Sequence, residues 1–322
     1  MRQLSRSRLE IIDALVLEGK NPLLNAALLE KDEHLTDALH ALFGLRLDGL
    51  QLVLCGGTSL SKAFSIIERM SEDADLKIVL SQSTSAESSS RIRTRLRAFK
   101  AQARTALREV GFSEDTDKAS AQNDNRYIHT QWIYSKHYES AVATRPNLQI
   151  EATVRMPLLP LESRRLTSLA GQLAPQIAVA GFNASVVSPA ETMAEKVLSF
   201  LRRFAQHRSG NVDREWDTKL VRRIYDVHCL NTLAPELIRP AQGVFAPLVA
   251  QDIKELGQQH REFSTSPREV LSRALLESAV EPQTVREYEE NLLPLVYGSV
   301  RPSFEEAFSS FRTVAMGLVE PL

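Results

Sequence analysis

The sequence predicts an α+β chain, with a mixed sheet and flanking helices in its front half and a helical C-terminal half behind it. Three observations predict this. Short β-prone runs at 50–54, 75–80, 127–134 and 148–155 alternate with helix-periodic stretches in the front half. Beyond Pro189 the apolar spacing is helical to the end. A chain of 322 residues with 43% hydrophobic content buries a core of one large or two ordinary domains, which excludes a disordered or fibrous protein. The expected division falls at residues 1–187 and 188–322.

Residues 5–46 alternate apolar and polar groups at helical spacing, broken at Asn21-Pro22, which predicts two opening helices that cap the core. Leu50 to Leu54 reads as a strand ending at Gly56-Gly57. Leu60, Ala63, Phe64 and Ile67 then mark one helical face, completing a strand, tight turn and helix. Asp75 to Leu80 reads as a second strand, and the serine-rich stretch 81–90 as a flexible loop. From Arg91 to Val110, Ile92, Leu96, Phe99, Ala103 and Leu107 keep an apolar helical face while arginines and Lys100 crowd the rest. Ser113 to Asn125 reads as a loop, and the runs after it as strands of one sheet. Helix starts are signalled at Ser266-Pro267-Arg268-Glu269 and at Ser303-Phe304-Glu305-Glu306.

The 39 basic and 40 acidic residues nearly cancel, so any nucleic-acid contact requires a local basic patch. Cys55 and Cys229 each lie in an apolar stretch, as small core residues of a reduced compartment do. No apolar run approaches the ~20 residues that span a bilayer, and the start does not resemble a signal peptide, so a soluble cytoplasmic protein with no membrane partner is expected.

Chemistry concentrates between Gly56 and Leu76. Two glycines at a strand end let the backbone turn sharply and approach a ligand, and the helix behind them points free N–H groups at that spot. Gly57, Thr58 and Ser59 are therefore candidate phosphate contacts, with Lys62 and Arg69 as secondary ones. Asp73 and Asp75 are two apart, so in an extended segment both carboxylates project to one side. Oxygen-only ligands favour Mg2+ or Mn2+. Glu151 is the candidate third ligand, because alternation buries Leu148, Ile150, Ala152 and Val154 and leaves Gln149, Glu151 and Thr153 on the other face. Taken singly, a Gly-Gly turn is common in α/β proteins, an Asp-x-Asp pair is often a solvated strand end, and Glu151 fits an exposed strand carboxylate. Arg69 fits a structural clamp on Glu72 as well as a phosphate contact. The basic helix 91–110 invites contact with an RNA backbone and equally fits a solvated face.

The run from Leu54-Cys55-Gly56-Gly57-Thr58-Ser59-Leu60 through Met70-Ser71-Glu72-Asp73-Ala74-Asp75-Leu76 closely resembles the signature of AbiEii-type nucleotidyltransferases. That family includes the toxins of type IV toxin–antitoxin systems and the MenT group, within the DNA polymerase beta-like superfamily. Thr192-Met193-Ala194-Glu195-Lys196 and Arg222-Arg223-Ile224-Tyr225-Asp226 resemble its later motifs. Met70, Ala74 and Glu191 depart from the usual pattern. The resemblance implies a nucleotidyltransferase-like sheet and a two-lobed molecule whose helical domain contributes to the active cleft. It implies that Lys196 contacts the nucleotide phosphates and that Asp226 is needed for activity. By composition alone, Lys196 fits a solvated helix residue and Arg222 with Asp226 a surface ion pair. The implied activity is transfer of a nucleoside monophosphate from a nucleoside triphosphate to RNA, with the 3′ end of transfer RNA as expected acceptor. Catalysis would fall on Asp73, Asp75, Glu151, Lys196 and Asp226. The implied setting is a toxin or phage-defence component that stops translation and is restrained by a cognate antitoxin. The alternatives are a small-molecule or protein nucleotidyltransferase, and a nucleotide-binding defence protein without turnover.

Overall fold

The computed structural model describes residues 1–19, 23–139, 147–175, 181–210 and 216–322. The chain divides into two compact units, residues 1–157 with 161–187, and residues 158–160 with 188–322.

The first unit opens with α1 (Arg6–Glu18), capped by the Ser5 side chain, and α2 (Ala26–Phe43), capped by Asn25. The two opening helices are present, and the expected break at Asn21-Pro22 lies outside the described residues. There follow β1 (Leu50–Cys55), α3 (Gly56–Lys62), β2 (Asp73–Leu80), α4 (Gln82–Ser85), α5 (Ser89–Glu109), β3 (Ser113–Glu114), β4 (Ser120–Gln122), β5 (Tyr127–Ile133) and β6 (Asn147–Val154). The unit ends with β7 (Glu162–Leu166), α6 (Leu169–Leu173) and β8 (Phe182–Val186). Among the described residues these strands form one mixed sheet in the order β3-β5-β6-β2-β1-β8-β7, with β4 on β5. β2 pairs antiparallel with β1 and parallel with β6; β1 pairs parallel with β8.

Strand alternation divides the sheet into two unlike faces. One carries Leu52, Leu54, Leu76, Ile78, Leu148 and Ile150, and it is buried under Leu35 and Leu39 of α2 and Leu96 and Phe99 of α5. Among the described residues, the opposite face holds a small apolar group, Val53, Cys55, Val79 and Val187 with Leu161. Polar side chains on this second face therefore border a sheet that the main core covers only from behind.

Three expectations need correction. The helix after the glycine turn ends at Lys62 instead of reaching Ile67, because Ser65 takes a left-handed φ of 52° that no helix continues through. The serine-rich stretch 81–90 is not a flexible loop: Ser81 caps α4 through Thr84 N, and Thr84 is buried. The stretch 113–125 contributes β3 and β4 to the sheet edge instead of remaining a loop, since both pair with β5.

The second unit is helical, with α7 (Pro189–Arg208), α8 (Arg222–Leu233), α9 (Ile238–Leu256), α10 (Arg261–Thr265), α11 (Pro267–Ser278), α12 (Pro282–Glu287) and α13 (Phe304–Val319). α7 begins on Ser188 with Pro189 at its first turn, and Ser303 with Glu306 forms a full capping box for α13. α7 packs on α8, α9 and α11, and its Phe200 meets Phe311 of α13 edge-on at 5.0 Å. Among the described residues no helix is long and apolar enough to cross a membrane.

Candidate active site

At the end of β1 the chain turns at Gly56 with a φ of 71°, a left-handed conformation that glycine adopts without strain. A Cβ at Gly56 would stand 2.3 Å from Asp75 Oδ2, so the Asp75 carboxylate lies directly against the turn. Gly57 has a similar relation to the next segment, since a Cβ there would meet an Arg69 guanidinium nitrogen at 2.7 Å and Ser71 Oγ at 3.2 Å. Thr58 shares a 2.8 Å hydrogen bond with Ser71 Oγ and donates to the Asp73 carbonyl, while Ser59 Oγ donates to the Gly56 carbonyl at 2.9 Å. Thr58 and Ser59 are fully buried, so their hydroxyls fasten the turn to the segment that carries the aspartates.

Asp73 and Asp75 occupy alternate positions of β2 and are both half-buried, on the face opposite the main core. In the parallel ladder Asp75 stands opposite Glu151, and Asp73 opposite Gln149. Register partners share a face, so Glu151 lies beside Asp75 on the neighbouring strand. The same rung continues through Cys55 on one side and His129 on the other. His129 Nδ1 lies 3.0 Å from the Lys118 carbonyl. Lys77 is the next residue of β2 on this face and is buried. Among the described residues, no three His, Cys, Asp or Glu side chains are grouped so as to hold a metal ion between them. The donors present are oxygen atoms on adjacent strands. Magnesium is commonly held by only one or two carboxylates, with water and substrate phosphates filling its other positions, so this donor set fits a substrate-completed cation.

The secondary phosphate candidates are placed differently. Lys62 is buried, and its ammonium is held by Asp32 Oδ1 at 2.6 Å and Thr36 Oγ1 at 2.7 Å, which fastens α3 to α2. Arg69 is buried and donates to the Met70 carbonyl at 3.1 Å. Glu72 makes a buried 2.8 Å ion pair with Lys31 of α2. The aspartate segment and the end of α3 are thus both tied to α2, through Lys31 and Asp32 in turn.

In the helical unit, Lys196 on α7 and Asp226 on α8 form a 2.6 Å ion pair, with the Asp226 side chain wholly buried. This is neither a solvated lysine nor a surface pair within α8. Glu191, one turn earlier on α7, is buried and accepts the backbone N–H groups of Leu158 and Leu159, both at 2.8 Å.

Sequence reasoning missed Lys77, Lys31 and Asp32. Lys77 continues the i, i+2, i+4 series begun by Asp73 and Asp75, a readable signal. The charged run Glu30 to His34 had no readable signal, because a charge run within a helix ordinarily faces water.

Comparison with known proteins is consistent with this motif. A family model described as nucleotidyl transferase AbiEii toxin, type IV TA system, matches residues 37–310. Among solved structures, the chain is similar to the nucleotidyltransferase toxin MenT4 from Mycobacterium tuberculosis H37Rv, at 16% identity and a TM-score of 0.45, covering 98% of this chain and 90% of that one. No curated protein matches.

Proposed function

Because the chain belongs to the AbiEii family of nucleotidyltransferase toxins of type IV toxin–antitoxin systems, we propose that it transfers a nucleoside monophosphate from a nucleoside triphosphate to RNA, with the 3′ end of transfer RNA as acceptor. Membership itself implies a nucleoside triphosphate substrate and an antitoxin partner. The observation that carries the reading is the pair Asp73 and Asp75 on one face of β2, with Asp75 against the Gly56 turn and Glu151 beside it.

Asp73 and Asp75, with Glu151 on the neighbouring strand, put negative charge on one face of the sheet, which a triphosphate approaches more readily with a countercharge. Asp73 and Asp75, with Glu151 at their side, would hold Mg2+ or Mn2+, which supplies charge neutralisation and a more acidic acceptor hydroxyl. The acceptor oxygen forms a new bond to the α-phosphorus as the bond to the bridging oxygen breaks, and pyrophosphate leaves with the electron pair. A carboxylate of the β2–β6 face accepts the hydroxyl proton. The glycine turn keeps side chains away from the Asp75 carboxylate. Thr58 and Ser59 act by fixing that turn, and Arg69 by packing on Gly57. Lys196, oriented by buried Asp226, is the cation assigned to the triphosphate, where its point charge opposes the charge that develops in phosphoryl transfer. Blocking tRNA charging would stop translation, the action of a toxin or a phage-defence component.

The test incubates purified protein with magnesium, each of the four labelled nucleoside triphosphates and total bacterial RNA, beside the Asp75→Ala variant. Label entering RNA only with the intact protein is the expected result. Label on protein or small molecules instead would replace the acceptor, and no transfer with any nucleotide would leave a nucleotide-binding protein without turnover.

A further inference from the structure

Across the sheet from the carboxylates, α5 lays Ile92, Leu96, Phe99 and Leu107 on the apolar core and turns the rest of its surface outward. That surface holds a cleft of about 420 Å³ lined by Arg97, Lys100, Arg104 and Arg108, with Thr105 and Asn125 as polar walls and Ala101 as the remaining lining residue. Arg104 and Arg108 share one acidic neighbour, Glu114, at 2.7 and 3.0 Å. Among the described residues, Arg97 and Lys100 make no ion pair, so the cleft carries more positive charge than the fold neutralises. Burial, and then the like charge of Arg104, hold the Lys100 ammonium below its ordinary pKa, as expected where cations crowd.

Three features define what this cleft takes. Its cations recur every three or four residues, so successive charges rise by roughly 5–6 Å along one side of a straight helix. Its lining has no aromatic ring and no large aliphatic side chain, so it offers neither a stacking platform for bases nor the apolar anchor that carries a protein interface. Its uncharged polar members, a hydroxyl and an amide, are donors of the kind that bind phosphate oxygens. The chain as a whole has a formal charge of −1, so this is a local concentration and not a bulk property.

We propose that the α5 cleft is a docking surface for the phosphate backbone of structured RNA, separate from the carboxylate face and indifferent to base sequence. The proposal rests on the acceptor being RNA, and extends that reading by placing a binding surface outside the reacting site. The cleft lies behind both the sheet and a helix about 10 Å thick, so it grips a part of the RNA remote from the reacting end.

The test measures binding of a labelled RNA hairpin and of total tRNA by fluorescence anisotropy, without nucleotide, between about 50 and 200 mM salt. The proteins are wild type, Asp75→Ala, the triple variant Arg97→Ala/Lys100→Ala/Arg108→Ala, and the charge-keeping Arg97→Lys/Arg108→Lys. Circular dichroism melts check each fold. Wild type and Asp75→Ala are expected to bind equally. The triple variant is expected to bind at least tenfold more weakly with a salt slope shallower by roughly 2, and the lysine variant to recover most of the affinity. Affinity and slope unchanged in the folded triple variant would overturn the proposal. So would loss of antitoxin neutralisation with RNA binding intact, which would assign the cleft to a protein. If no nucleotide is ever transferred but binding still depends on α5, the catalytic reading fails and the docking surface stands. Undiminished transfer by the triple variant at limiting RNA sinks the docking surface alone.

Discussion

At Gly56 one hydrogen atom decides where a carboxylate can sit. A methyl group there would meet Asp75 Oδ2 well inside contact distance, and the left-handed φ adds strain of its own, about 1 kcal/mol or more. Gly56→Ala is therefore expected to leave a folded protein with a modestly lower melting temperature but at least tenfold less nucleotidyl transfer. Normal activity in that variant would remove Asp75 from the chemistry. Lys196 and Asp226 pose the other question at this scale, whether a buried pair serves stability or reaction. Removing one partner of such a pair costs about 3–5 kcal/mol, because the other charge is left uncompensated. Lys196→Met and Asp226→Leu singly should each destabilise in urea melts, and the double variant should regain much of the loss. Transfer should stay abolished in all three; activity restored in the double variant would make the pair structural only.

Among the elements, α2 has the most unexpected part. Its residues Glu30 to His34 are all buried. Lys31 holds Glu72, Asp32 holds Lys62 and accepts the Leu169 N–H at 2.6 Å, and Glu30 accepts the His137 and Tyr138 N–H groups. This helix braces the glycine–aspartate motif from behind. Lys31→Met should cost about 3–5 kcal/mol in denaturant melts, and pairing it with Glu72→Leu should recover most of that. No loss in the single variant would show that the brace contributes nothing. His34, fully buried and stacked 4.0 Å from Tyr134, gives the same helix a pH dependence. Burial, then the charge of Arg2, lowers its imidazole from 6.5 to about 3. The folded chain thus binds this proton less readily than the unfolded chain. Its contribution to stability is complete above about pH 6.5 and is lost as pH falls from there toward 3. Neighbouring Glu33, whose carboxyl burial pushes up, has the opposite sign, so only a comparison with His34→Phe isolates the histidine. The variant should gain on wild type in urea melts at pH 5 relative to pH 8. A constant difference would reject this assignment.

For the molecule as a whole, legibility followed the periodicity of its elements. The strand around Glu151 was readable because alternation buries one residue in two, and the strand around Asp75 because Leu76 to Leu80 is a β-prone run, which the fold buries throughout. The helices after Pro189 were readable because apolar spacing, Ser303 and Glu306 mark them. The pairing of β2 with β6 was not readable, since nothing local in either strand names its partner. The buried charges of α2 were hidden for a related reason: their partners, Glu72 and Lys62, lie far along the chain. The break at Ser65 has no sequence signature, because nothing marks a serine for a left-handed φ.

The parallel pairing of β2 with β6 also sets an order in time. During synthesis Asp73 and Asp75 leave the ribosome long before the strand that carries Glu151, and α2 emerges before both. The nascent chain therefore already contains α2 and the glycine turn while the third carboxylate is still unmade, and five of the eight described strands are synthesised before the complete carboxylate face can exist.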